Sequence, residues 1–170
     1  MKLRHLLVIL YGFGLLYGIA DLAYAYPRLP DLMASHFNGI GEPDGWMHKG
    51  TFLAVALVGY IVLTGFTVGM ALLLPRLPEG WLRFMVSLPR RDYWLAPERR
   101  AGTLEKICHF MLIVGCATLG LFVLTLHLAF RANLTTPPQM ASWFLYVAEV
   151  YMVLMLWAAA RLVWHFSRAE

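Results

Sequence analysis

Apolar positions along this chain gather into four long runs, separated by short polar stretches. The runs are Leu6–Tyr26, Thr51–Leu74, Ile107–Phe130 and Ala141–Val163. At a rise of about 1.5 Å per residue, each can cross a hydrocarbon core of roughly 30 Å. In hydrocarbon a backbone must satisfy its own polar groups within the segment, so the pattern predicts helices. Their expected bounds are about 6–26, 51–74, 105–130 and 141–165. No stretch shows the evenly alternating short strands of a membrane barrel. The expected fold is an all-α integral membrane protein, with residues 1–170 as a single membrane domain. Short connections favour an antiparallel bundle of four transmembrane helices. An ordered extracytoplasmic loop (27–50) and a basic cytoplasmic loop (75–104) complete it.

Composition sharpens this picture. Hydrophobic residues make up 60% of the chain and charged ones 14%, against about 25% charged in soluble domains. Too few charges remain to clothe a water-facing surface. The basic residues that do occur are unevenly placed. If the runs alternate sides, eleven Lys and Arg fall on one face, among them Lys2, Arg4 and seven between Arg76 and Lys106, and three on the other. Basic residues accumulate on the cytoplasmic side, so both termini and loop 75–104 are expected there. The net charge of +4 follows from this asymmetry. It points to anionic headgroups and gives no nucleic-acid motif. Lys2, Arg4, an apolar stretch and Ala23-Tyr-Ala25 resemble a signal peptide, but the run is longer than a usual signal core, so the first run is expected to stay as a helix.

Polar exceptions inside the runs carry the candidate chemistry. Asp21, His127 and Glu149 lie toward the same end as loop 27–50. Ionisable groups in membrane helices are expensive and face an interior or a cavity, so a polar pocket beneath that loop is expected. Gly14-Leu-Leu-Tyr-Gly18 and Gly65-Phe-Thr-Val-Gly69 have the spacing that lets two helices approach closely. They offer contacts within the chain, with a second copy or with another membrane protein. Trp143, Tyr146, Trp157 and Trp164 suit an interfacial aromatic belt. Cys108 and Cys116 are eight residues apart in one expected helix, about 12 Å, too far for a disulfide. They read as packing residues.

Loop 27–50 is the most specific stretch. Pro27 and Pro30 end the first helix, and Gly39, Gly41, Pro43 and Gly45 forbid a long helix within "HFNGIGEPDGW". The expected result is a compact folded loop whose chemically capable members are His36, Asn38, Asp44 and Trp46. With Asp21, His127 and Glu149 they are the ligand candidates. In loop 75–104, Trp81, Phe84, Met85 and Leu88 follow the spacing of a short interfacial helix stopped by Pro89. "DYWLAPERR" reads as a turn with docked aromatics and solvated Arg99 and Arg100. Tyr93, Trp94, Glu98, Arg99 and Arg100 are the candidates for a cytoplasmic interaction. No metalloprotease pair, nucleophile elbow, phosphate loop or dinucleotide fingerprint occurs. No catalytic residue, cofactor or metal is therefore expected.

These residues carry a resemblance. "YPRLPDLMASHFNGIGEPDGW" resembles the membrane domain of unknown function 1648, the N-terminal part of SdpI-type immunity and signalling proteins of bacteria. The matching positions are Pro27, Pro30, His36, Phe37, Asn38, Gly41, Pro43, Asp44, Gly45 and Trp46. "RDYWLAPERR" looks like one branch of that family. The resemblance implies a multi-pass protein of the bacterial inner membrane. SdpI-type proteins continue into a second membrane half, and the four runs here correspond to the first. The expected function is binding or accessory: extracytoplasmic recognition, immunity-like action or support of a partner, with membrane lipids around it. The alternative is a small-solute carrier or metal-dependent membrane enzyme using the same pocket. A metal site requires His36, His127 and an acid to meet.

Overall fold

A computed structural model describes residues 2–168. Helix α1 is Lys2–Ala25. Pro27 turns its end into a short 3-10 segment, Tyr26–Arg28. Strands β1 (Leu32–Phe37) and β2 (Pro43–His48) follow as one antiparallel hairpin. Helix α2 (Lys49–Thr64) passes through a π-helical turn, Gly65–Gly69, into α3, Met70–Leu73. Two short helices, α4 (Glu79–Met85) and α5 (Arg91–Trp94), precede the long α6, Pro97–Asn133, and the chain closes with α7, Trp143–Ser167. The chain is mostly helical, and four of its helical stretches are long and apolar enough to cross a membrane.

Contacts fix the directions. Gly14 faces Leu119 and Gly18 faces Val123, while Asp21 meets His127, so α1 and α6 run parallel. Tyr11 meets Thr64 at 3.3 Å and Tyr60 faces Gly18, so α2 runs against both. Thr118 and Tyr151 share a hydroxyl hydrogen bond of 2.6 Å, and Lys106 meets His165 at 3.1 Å, so α7 descends beside α6. The start of α1, the end of α7 and the basic segment thus share one end, and the hairpin occupies the other.

Helices α1, α2 and α6 build the core. Gly18 has a clear purpose there. A Cβ at Gly18 would stand 2.3 Å from the Tyr60 hydroxyl oxygen and 2.8 Å from Val123, so the first small-residue motif is a close helix crossing. Gly65 and Gly69 meet nothing within 4 Å and make no corresponding contact inside the chain. Both cysteines are free. Helix α7 is peripheral: Phe166 is its one buried residue among those described.

Tyr60 is only 3% exposed, and its hydroxyl has no hydrogen-bond partner among the described residues. A buried hydroxyl without a partner loses its hydration for no return. Tyr60→Phe should therefore leave thermal stability in detergent unchanged or raise it by about 1 kcal/mol. A clear loss would reveal a polar partner for that hydroxyl.

Two sequence expectations need correction. The fold is not all-α: the loop 27–50, expected to be ordered and compact, contributes a β-hairpin. Helix α6 begins at Pro97, not near 105, and runs on to Asn133. Proline suits a first helical position, where its missing N–H forfeits no bond. "DYWLAPERR" therefore divides between α5 and the first turn of α6.

Candidate functional site

The hairpin is built by the residues that make loop 27–50 distinctive. Asn38 Oδ1 accepts the N–H groups of Ile40 and Glu42, each at 3.0 Å, which folds the turn back on itself. Gly41 holds φ +84°, and a Cβ there would lie 2.4 Å from the Met140 carbonyl oxygen. Only glycine fits both the conformation and the approach. Met140 N–H donates to Gly41 O at 2.9 Å, so the turn is fastened to the connection between α6 and α7. Gly45 stands opposite His36 in the strand register, where a Cβ would come within 2.9 Å of the His36 Cβ. At the neck, Lys49 pairs with Asp31 at 2.8 Å. The hydrogen bond from Lys49 holds the Asp31 carboxyl below its ordinary range.

One residue to which the sequence reading gave no structural role, Asn133, anchors this hairpin to the helices. Asn133, 6% exposed, accepts from Ala34 N–H at 2.7 Å. Its amide donates to Ala34 O and to Ala129 O, each at 2.9 Å. Ala34 is fully buried, and its two backbone groups are completed by a side chain ninety-nine positions away. The sequence offered one hint, a lone asparagine ending a long apolar run.

The expected single polar pocket divides into separate pairs. Asp21 and His127 form one, with Nδ1 at 3.1 and 3.2 Å from the two carboxylate oxygens. Asp21 is 16% exposed there and His127 33%. His36 and Asp44 form another, across the hairpin on its outer surface. Asn38 serves the turn, and Trp46, half exposed, lies cross-strand from Ala34. Glu149 joins none of them: it sits exposed on α7. The His36–His127–acid meeting that a metal site requires does not form. Among the described residues no three His, Cys, Asp or Glu side chains are grouped to hold a metal ion.

What lies beneath the hairpin is apolar. A cavity of about 350 Å³ opens between the hairpin, α2, α6 and the start of α7. Phe37 and Met47 line its roof, Phe52 and Val55 one wall, Phe122 and Leu126 another, and Met140 and Leu145 the side toward α7. Its polar members are Ser35, His36, Asn38, Thr125 and Ser142. The Thr125 hydroxyl is already bonded to Leu121 O at 2.7 Å, and the Asn38 side-chain oxygen to its own turn. The volume is near the lower end of ligand pockets, roughly 300–1,000 Å³. A few polar groups among apolar walls suit a small apolar ligand, or an apolar tail with a polar end.

At the opposite end, the five cytoplasmic candidates have mostly internal tasks. Trp94 Nε1 donates to Phe166 O at 2.7 Å, and its ring meets those of His165 and Phe166 at 5.7 and 5.2 Å. It ties down the end of α7. The Arg99 guanidinium lies 3.9 Å over the Tyr93 ring. Arg100 donates to Leu77 O at 2.8 Å and is half-buried, so the expectation of a solvated Arg100 is corrected. Glu98 is exposed in the first turn of α6. Arg83 joins Glu79 at 3.0 Å and Asp92 at 2.5 Å. Both bonds raise its pKa above the ordinary arginine value, that to Glu79 more. Leu82 is the buried member of α4, while Trp81, Phe84 and Met85 face outward.

A mostly helical chain with four helices long and apolar enough to cross a membrane, the first two joined by a tied-down hairpin, suggests a class: multi-pass membrane proteins. Residues 12–59 match the family described as Domain of unknown function (DUF1648). The matched stretch runs from α1 through the whole hairpin into α2; it contains the ten matching positions of the loop motif, while "RDYWLAPERR" lies outside it. No curated protein and no solved structure matches the chain.

Proposed function

We propose that this is a bacterial inner-membrane protein, both termini cytoplasmic, that binds an extracytoplasmic ligand in the cavity under its hairpin. The role is one of recognition or accessory support, immunity-like or serving a partner protein. The observation that carries this reading is the apolar cavity of about 350 Å³ roofed by Ser35–Asn38. The orientation is supported by the eleven basic residues gathered at the end away from the hairpin. The outward aromatic side chains of α4 and α7 support insertion, since such rings prefer the membrane–water boundary.

Two measurements test it. A cysteine replacing the exposed Ile40 should react with an impermeant maleimide on intact cells, and one replacing Arg91 should not. The reverse pattern would invert the topology. Purified protein should enhance the fluorescence of aminoanthracene, a small apolar probe, and Ala141→Trp, which fills the cavity, should abolish that enhancement. Equal enhancement by both proteins would remove the cavity from the proposal.

A further inference from the structure

The end opposite the hairpin holds a second cleft, of about 890 Å³, whose charged and titratable lining is Arg4, His5, Arg100 and Glu105. Its character is unlike that of the first. Arg4 comes from the start of α1 and Arg100 from the first turn of α6. Because α1 and α6 run parallel, the N-termini of two long helices open on the same side. Each helix start carries partial positive charge from its unpaired N–H groups. Basic side chains there are placed against the dipole; α6 carries Glu98 in its first turn, whereas α1 has no acidic residue in its own. Such an arrangement is relieved by an anion.

We infer that this cleft binds the phosphodiester headgroup of an anionic phospholipid from the cytoplasmic leaflet. The charge balance sets the class. Arg4 and Arg100 contribute two positive charges and Glu105 one negative, and Glu105 is engaged in an interaction of its own. The remainder suits a singly charged phosphodiester better than a polyphosphate. Arg100 is held at the wall by its bond to Leu77 O at 2.8 Å. A guanidinium has five N–H donors, so the others can still address phosphate oxygens. Arg4 is half-buried at the start of α1. Pro75, Pro97, Ala101 and Leu104 give the cleft an apolar lining beside its arginines, which favours a lipid over free phosphate. Basic clefts between membrane helices on the cytoplasmic side are suited to acidic headgroups.

This inference rests on the membrane reading above, and the test separates the two. Purified protein is mixed with phosphatidylglycerol or with phosphatidylcholine and analysed by native mass spectrometry. Phosphatidylglycerol should remain bound and phosphatidylcholine should not. Arg4→Gln should weaken retention about tenfold, equivalent to about 1.4 kcal/mol. Arg4→Gln with Arg100→Gln should abolish it, and Arg131→Gln at the other end should change nothing. Arg4→Gln alone keeps the test valid if the double variant fails to fold. Equal retention of both lipids, or no effect of Arg4→Gln, would overturn the site. Displacement by millimolar inorganic phosphate would reassign it to a free anion. A chain that stays monomeric in buffer without detergent would overturn the membrane reading itself.

Discussion

Gly115→Ala should destabilise the protein by about 3 kcal/mol, the upper part of the overpacking range. Gly115 lies on α6 where Thr67, in the π-helical turn between α2 and α3, packs against it. A Cβ at Gly115 would stand 1.9 Å from Thr67 Cγ2, 2.8 Å from its Oγ1 and 2.9 Å from its Cβ. Threonine is branched at Cβ, so no rotation about χ1 removes all three contacts. Thr67 is also buried, at 3% exposure, so the two helices must separate. Gly120→Ala is the control on the same helix, because nothing lies within 4 Å of a Cβ there. It should be neutral or stabilising by up to about 1 kcal/mol, the ordinary helix preference for alanine. Thermal unfolding in one detergent compares the pair. Thr67→Ala should partly rescue Gly115→Ala and leave a residue of strain from the Cβ–Cβ contact, a non-additive result expected of touching sites. Equal stability of Gly115→Ala and Gly120→Ala would mean that α2 and α6 do not cross where they are described.

How far the fold can be read without coordinates depends on how locally each feature is specified. The four apolar runs are a matter of length and composition, and all four return as helices within a few residues, apart from the early start of α6. The hairpin was legible as ordered but not as strands. Its register is irregular between Ala34 and His36 and again between His36 and Phe37, which breaks the two-residue alternation by which a strand is recognised. Glu149 shows another limit. A helix that is apolar all round has no periodic stripe to say which face turns inward, so a shared depth toward one end does not establish a shared pocket. Asp21 and His127, both expected beneath the loop because both lie toward the same end of apolar runs, do meet. The apolar lining of the cavity was not legible, since Phe52, Phe122 and Leu145 look like any other membrane-helix residues.

Asn133→Ala should loosen the hairpin while leaving the helices assembled. Three hydrogen bonds end on that side chain, two of them completing the N–H and C=O of Ala34. Ala34 is fully buried, so water does not replace them without an opening of the structure. A buried backbone group left without a partner costs about 1–3 kcal/mol, and two such groups set an expected loss of about 3 kcal/mol. Asn133→Asp distinguishes geometry from bonding. It keeps an acceptor for Ala34 N–H but removes both donors and buries a charge, so it should be no better than alanine. Because the damage is local, hydrogen exchange is the informative measurement: amides of residues 32–48 should lose protection in Asn133→Ala, while those in the middle of α6 should keep theirs. Loss of protection throughout would show the anchor to be global, and full retention in the hairpin would show that Asn133 is not its anchor. The same variant bears on function, since the hairpin roofs the cavity through Ser35–Asn38. A loosened roof should weaken the aminoanthracene signal even though no lining residue has changed.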